Sequence, residues 1–117
     1  MKKTNKLYLE QFLERIERIE LYVTNVTKEQ FFSDNKMQDA LIYNIEVLGE
    51  ISKRFSEQYK TDVSEIPWHK IQGMRNRLVH NYDGISLEII WEVSTTFVPT
   101  LKPIVLNQIN TIDITKY

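Results

Sequence analysis

Ten residues, Gly73-Met-Arg-Asn-Arg-Leu-Val-His-Asn-Tyr82, set a titratable imidazole among arginines, the side chains that could move a proton beside a phosphate. They include one of only two histidines, two arginines and two asparagines, and a tyrosine that precedes an Asp83-Gly84 turn signal. Between Pro67 and Tyr82 there are three Lys/Arg residues, Lys70, Arg75 and Arg77, and no Asp or Glu, in a chain whose formal net charge is −1. This is a local basic island on a nearly neutral protein. Imidazole, with an ordinary pKa of about 6.5, accepts or donates a proton near neutrality. Guanidinium is a permanent planar fork that matches two phosphate oxygens and steadies charge building on a phosphoryl group. Arginine with histidine and no metal suits RNA cleavage, because the substrate brings its own nucleophile in the 2′-hydroxyl. Metal-dependent cleavage would need clustered carboxylates or histidines, and the stretch has none before Asp83. No metal and no cofactor are therefore expected.

Geometry qualifies this reading. Arg75 and His80, five apart, project about 140° from one another on an ideal helix, whereas Asn76 and His80, four apart, share a face. Arg75 and His80 meet only if the helix loosens near His80 or if the arginine uses its reach. On spacing alone, Arg, Asn and His at a helix end read first as a solvated, capped terminus and second as a phosphate site. Spacing alone leaves both readings open.

The elements that must position these residues read as helices. Apolar positions at Leu9, Phe12, Leu13, Ile16, Ile19 and Val23 fall at helical offsets with charged residues between them. Asn25-Val26 interrupts this pattern, and Thr27-Lys-Glu-Gln30 forms a capping box for a short helical turn. Ser33 or Asp34 caps a second long helix with a stripe at Met37, Leu41, Ile45, Leu48, Ile51 and Phe55. Gly49 inside it costs about 1 kcal/mol against alanine, and close approach of a neighbouring helix is the expected return. A loop is expected at Thr61–Ser64, and a third helix from about Pro67 to about His80, with Pro67 in its first turn. Ser86 caps a fourth helix through Leu87, Ile90, Trp91, Ser94, Phe97 and Leu101; at Pro99 either this helix kinks, the preferred reading, or two helices share an axis. No run has strand period. The fold class is all-α, an antiparallel four- to five-helix bundle with a kinked C-terminal helix, and residues 1–117 are expected to form one domain.

Totals agree with this. A chain of 117 residues with 42% hydrophobic and 26% charged residues is of ordinary globular composition. Without cysteine there is no disulfide framework or thiolate metal site, which is compatible with a cytoplasmic location. No apolar h-region follows Lys2, Lys3 and Lys6, so no signal peptide is expected, and no apolar run approaches the roughly 20 residues of a membrane span. Near-zero net charge argues against a general nucleic-acid coat but leaves room for a site that engages one or two phosphates.

The run from Ile66 to Tyr82 (Ile-Pro-Trp-His-Lys-Ile-Gln-Gly-Met-Arg-Asn-Arg-Leu-Val-His-Asn-Tyr), with Gly49-Glu50 before it and Ile90-Trp91 after it, resembles HepT-like toxins of the HEPN superfamily of α-helical ribonucleases. The Arg-x4-His-x-Tyr pattern matches as Arg75, His80 and Tyr82. The resemblance implies a metal-independent endoribonuclease toxin whose Arg75 and His80 are catalytic, with Asn76 of the Arg-Asn pair in support; beside them Lys70 and Arg77 either steer the RNA phosphate or are solvated helix charges. It further implies a homodimer with a composite cleft. The implied partner is an MntA-like nucleotidyltransferase antitoxin, which transfers AMP to Tyr82 and could join the homodimer in a higher hetero-oligomer. Phosphate added beside His80 and Arg75 would fill the cationic site and repel RNA. The alternative class is a non-catalytic helical scaffold for a nucleotidyltransferase, and a third is a bundle that binds nucleotides without cutting RNA.

Other residues read more plainly. His69 is expected on the surface, and Trp68 and Trp91 as apolar anchors. Asn44, on the stripe of the second helix, is expected to make a buried interhelical hydrogen bond. Glu50 could pair with an arginine of the third helix, either as a structural ion pair or to orient Arg75.

Overall fold

Side-chain oxygens begin most of the helices, as the residue types require. The computed structural model describes residues 4–80 and 86–117, and among these there is no strand. Thr4 caps α1 (Asn5–Val23). Thr27 and Gln30 form the expected capping box of α2 (Lys28–Phe32). Asp34 caps α3 (Asn35–Ser52), accepting from the Met37 amide at 3.0 Å. Ser56 caps α4 (Glu57–Asp62), and α5 follows at Trp68–His80. Ser86 opens α6 (Leu87–Glu92), which passes through a π-helical turn (Val93–Phe97) into α7 (Val98–Thr111). Asn25, where α1 gives out, has a left-handed φ of 60°, which asparagine tolerates better than most residues.

The long helices run antiparallel. Asn5 and Ser56 exchange hydrogen bonds at 3.0 and 3.2 Å, and Arg15 donates to Asn44 Oδ1 at 3.0 Å, so α1 and α3 pass in opposite directions. Asn5 also donates to the Tyr117 carbonyl at 3.2 Å, while Lys102 reaches Glu20 at 2.8 Å, which sets α7 against α1 in the same manner. Trp68 on Phe55 and Arg75 on Gly49 do so for α5 and α3. The core joins Leu9, Phe12, Ile16 and Ile19 of α1 to Leu41, Ile45, Leu48 and Ile51 of α3, Ile71 and Leu78 of α5, and Ile90, Val98, Leu101 and Val105. The expected all-α bundle is what forms.

Two local differences have physical reasons. The second long helix stops at Ser52, short of Phe55, and α4 occupies part of the stretch expected to be loop. Ile51, Phe55 and Tyr59 are four apart, so their spacing continues the stripe across a real break. The break closes with short back-turns from the Lys53 and Arg54 amides to Glu50 and Ile51. Phe55 is still buried, stacked on Tyr59 and tilted against Trp68. The irregularity expected at Pro99 takes the form of the π turn, in which the Val98 amide reaches back to the Val93 carbonyl. This wider turn lies just ahead of a proline that has no N–H to give. The run Leu87–Thr111 stays helical and, by length and composition, could cross a membrane. Here its Ile90, Val98, Leu101 and Val105 are buried in the core.

Candidate active site

The described part of the basic stretch lies in α5. The chain enters it through Trp68, whose Nε1 donates to the Val63 carbonyl at 2.9 Å, and the Ile71 amide donates to the Pro67 carbonyl at 3.1 Å. Ile71 and Leu78, seven apart, are buried and turn one side of α5 inward. Arg75, four residues after Ile71 and three before Leu78, must therefore face α3.

What receives it there is Gly49. A Cβ at that position would overlap Arg75 Cβ and lie 2.7 Å from Cγ, so the expected close approach of helices is present and Arg75 is what approaches. Glu50 forms an ion pair with Arg75 Nη2, and only 20% of the Arg75 side chain is exposed. One turn earlier, Gln72 Nε2 donates to the Gly49 carbonyl at 2.9 Å and to the Ser52 hydroxyl. Gln72 escaped the sequence reading. Its signal is weak, a polar residue three before Arg75 on the inward flank of the helix.

Lys70, Met74 and Arg77, spaced like one helix face, line a different surface, a groove of about 550 Å³ against Ile89, Glu92 and Phe97. Lys70 Nζ lies 4.4 Å from the centre of the Phe97 ring, a cation–π contact. Asn76 and His69 are exposed. Arg75 thus belongs to the α3 flank of α5, and Lys70 and Arg77 to the α6–α7 flank. Within the described residues of the chain these cations do not converge. Carboxylates from elsewhere also temper the basic island, Glu50 at Arg75 and Glu92 in the groove. The backbone of His80 ends α5, its side chain lies outside the described part, and Tyr82 lies outside the described residues. Among the described residues no group of three or more His, Cys, Asp or Glu side chains is placed to hold a metal ion.

Asn44, Trp68 and Trp91 lie where their residue types place them. Asn44 is buried, accepting from Arg15 and donating to the Ala40 carbonyl at 2.8 Å. Trp68 packs on Phe55 with ring centres 4.9 Å apart, and Trp91 on Phe31 at 5.2 Å.

Known proteins resemble the chain over this whole framework. A probable ribonuclease HepT of Thermococcus cleftensis is 37% identical over 102 residues, covering 87% of this chain and 93% of that protein. A protein of Methanocaldococcus jannaschii named as a gamma-glutamylcyclotransferase and candidate RNase is 36% identical over 113 residues, covering 97% of this chain. The chain spans about half of that relative, 51% of its length. A candidate RNase of Caldanaerobacter subterraneus is 33% identical over 100 residues, covering 86% of this chain and 89% of that protein. No solved structure gives a significant match. The Ribonuclease HepT-like family model matches residues 12–107, a span that includes all of α3 and α5, and the chain belongs to the HepT-like ribonuclease family.

Proposed function

We propose that the chain is a metal-independent endoribonuclease, the toxin of a toxin–antitoxin pair, with Arg75 and His80 as its catalytic residues. The observation that carries this reading is the family match across residues 12–107, which enclose the Arg75-x4-His80 pattern. In the proposed reaction the 2′-oxygen attacks the adjacent phosphorus, and the bond to the 5′-oxygen of the next nucleotide breaks. His80 moves the proton, removing it from the 2′-hydroxyl or returning one to the leaving oxygen. Arg75 binds the non-bridging oxygens as charge builds on them. The products are a 2′,3′-cyclic phosphate and a 5′-hydroxyl.

One His80 per chain supports the dimeric version of this reading, since concerted transfer uses a base and an acid and a second copy supplies the second imidazole. A composite cleft would also gather cations that a single protomer holds on opposite flanks of α5. Lys70, Arg77 and Asn76 then steer RNA, and an MntA-like nucleotidyltransferase silences the toxin in the cytoplasm by adding AMP to Tyr82. A second reading, a non-catalytic scaffold, draws support from the Arg75–Glu50 pair, the contact a purely structural arginine would make.

Purified protein of unmodified mass, incubated with RNA in EDTA, separates the two. The expected outcome is cleavage by wild type and at least about a hundredfold loss in His80→Ala, with Arg75→Ala similarly impaired and both variants keeping the wild-type oligomeric state. Absence of cleavage by unmodified wild type would establish the scaffold reading instead.

A further inference from the structure

A cation meant only to attract RNA gains nothing from a carboxylate beside it. Arg75 nevertheless has Glu50 on Nη2. That pair contributes little to stability, because 42% of the Glu50 side chain is exposed and solvent screens such pairs. The surroundings show what else it can do. The stem of Arg75 lies against the bare backbone of Gly49, where an added Cβ would be 3.3 Å from Cδ. Arg75 Nε is buried and has no hydrogen-bond partner among the described residues. The Gln72 clasp on Gly49 and Ser52 holds α5 against α3 one turn away. Of the five guanidinium N–H groups, the one on Nε faces protein and one on Nη2 is used by Glu50. A phosphate can then engage only the remaining Nη edge.

We infer that Glu50 is a positioning residue for Arg75, fixing which edge of its guanidinium is offered to the phosphate. The effect on cleavage rests on the ribonuclease reading above, while the effect on Arg75 itself does not. Glu50→Ala removes the anchor and unmasks the positive charge. RNA is then bound at least as well in the ground state, but the arginine is no longer aimed. The rate constant falls while KM stays level or drops. Glu50→Gln keeps an acceptor oxygen at the same reach and restores most of the rate.

Two measurements on full-length, unmodified protein test this. The first is kcat and KM on a single-stranded RNA oligonucleotide for wild type, Glu50→Ala and Glu50→Gln. Expected are a drop in kcat of about 10- to 100-fold for Glu50→Ala, the scale of a misaligned catalytic group, with KM not raised and rescue to within a few-fold by Glu50→Gln. The second is the ¹H–¹⁵N spectrum of arginine side chains, with the Arg75 Nε–H signal assigned by its loss in Arg75→Lys. That signal should exchange slowly in wild type, collapse towards the exposed arginines in Glu50→Ala, and persist in Glu50→Gln. An unchanged, still protected Nε–H signal in Glu50→Ala would overturn the inference, as would equal losses in kcat and 1/KM that Glu50→Gln does not repair. Failure of wild type to cleave RNA would sink the ribonuclease reading and leave the Nε–H comparison to decide orientation by itself. Should Glu50→Ala not fold, Glu50→Asp, one methylene shorter, carries the same comparison.

Discussion

Two glycines separate what a residue type can signal from what its neighbours decide. Both interrupt helices, where glycine costs about 1 kcal/mol against alanine, yet their surroundings are opposite. A Cβ on Gly49 runs into the Arg75 stem close to its backbone, whereas one on Gly73 meets nothing within 4 Å. Gly49→Ala should therefore destabilise the fold by about 1–3 kcal/mol, since overpacking displaces an anchored side chain. Gly73→Ala should gain about 1 kcal/mol from helix propensity. Chemical denaturation of the two variants beside wild type reads both signs. A loss in Gly73→Ala would mean that something outside the protomer, such as a second copy, approaches α5 there. The sequence foretold closeness at Gly49 but could not say which side chain came close. That depends on the rotation of α5, which its buried Ile71 and Leu78 set.

At the scale of elements, continuity is what periodicity conceals. Ile51, Phe55 and Tyr59 keep one spacing across the end of α3, a turn and the start of α4, so the stripe looks unbroken although the helix is not. The α6–α7 run shows the reverse, two exposed prolines in a helix that nevertheless continues. The π turn accommodates Pro99, but it also lies around Ser94, fully buried with an Oγ that has no partner among the described residues. An unsatisfied buried hydroxyl costs free energy. Ser94→Ala is expected to stabilise the protein by about 1 kcal/mol, read as a higher denaturation midpoint at unchanged slope. A lower midpoint would show that the hydroxyl has a partner in solution.

For the whole molecule, the end away from the candidate site is tied by contacts distant in sequence. Tyr117 donates its hydroxyl to Asp62 and sets its ring edge-on to Tyr59 at 5.1 Å, while its carbonyl takes Asn5 of α1. The Tyr117 hydroxyl, then Gln58, and Lys116 more weakly, hold the Asp62 carboxyl below its ordinary 3.8. A carboxyl lowered on folding binds protons more weakly in the folded chain than in the unfolded one. Its contribution is present above about pH 4 and is lost as pH falls through the folded value. The melting-temperature gap between wild type and Asp62→Asn should accordingly narrow from pH 6 to pH 3. A constant gap would mean that the contact does not depend on the charge of Asp62. The effect is local to this end, since α3 and α5 meet through other groups.

Local spacing was enough for the all-α class, the capped starts of the helices, their inward stripes and the helical setting of Lys70, Arg75 and Arg77. These follow from local rules, three to four residues in reach. The sequence named Asn44 as a buried bridge because a polar residue on an apolar stripe must find a partner, though not that the partner is Arg15. Helix packing set Arg75 towards Gly49 and Glu50, Lys70 and Arg77 on the other flank of α5, and Gln72 beside Arg75. Those outcomes depend on which helix lies beside which, and at what rotation. Packing across about 25 residues of chain sets both, and no local spacing encodes either.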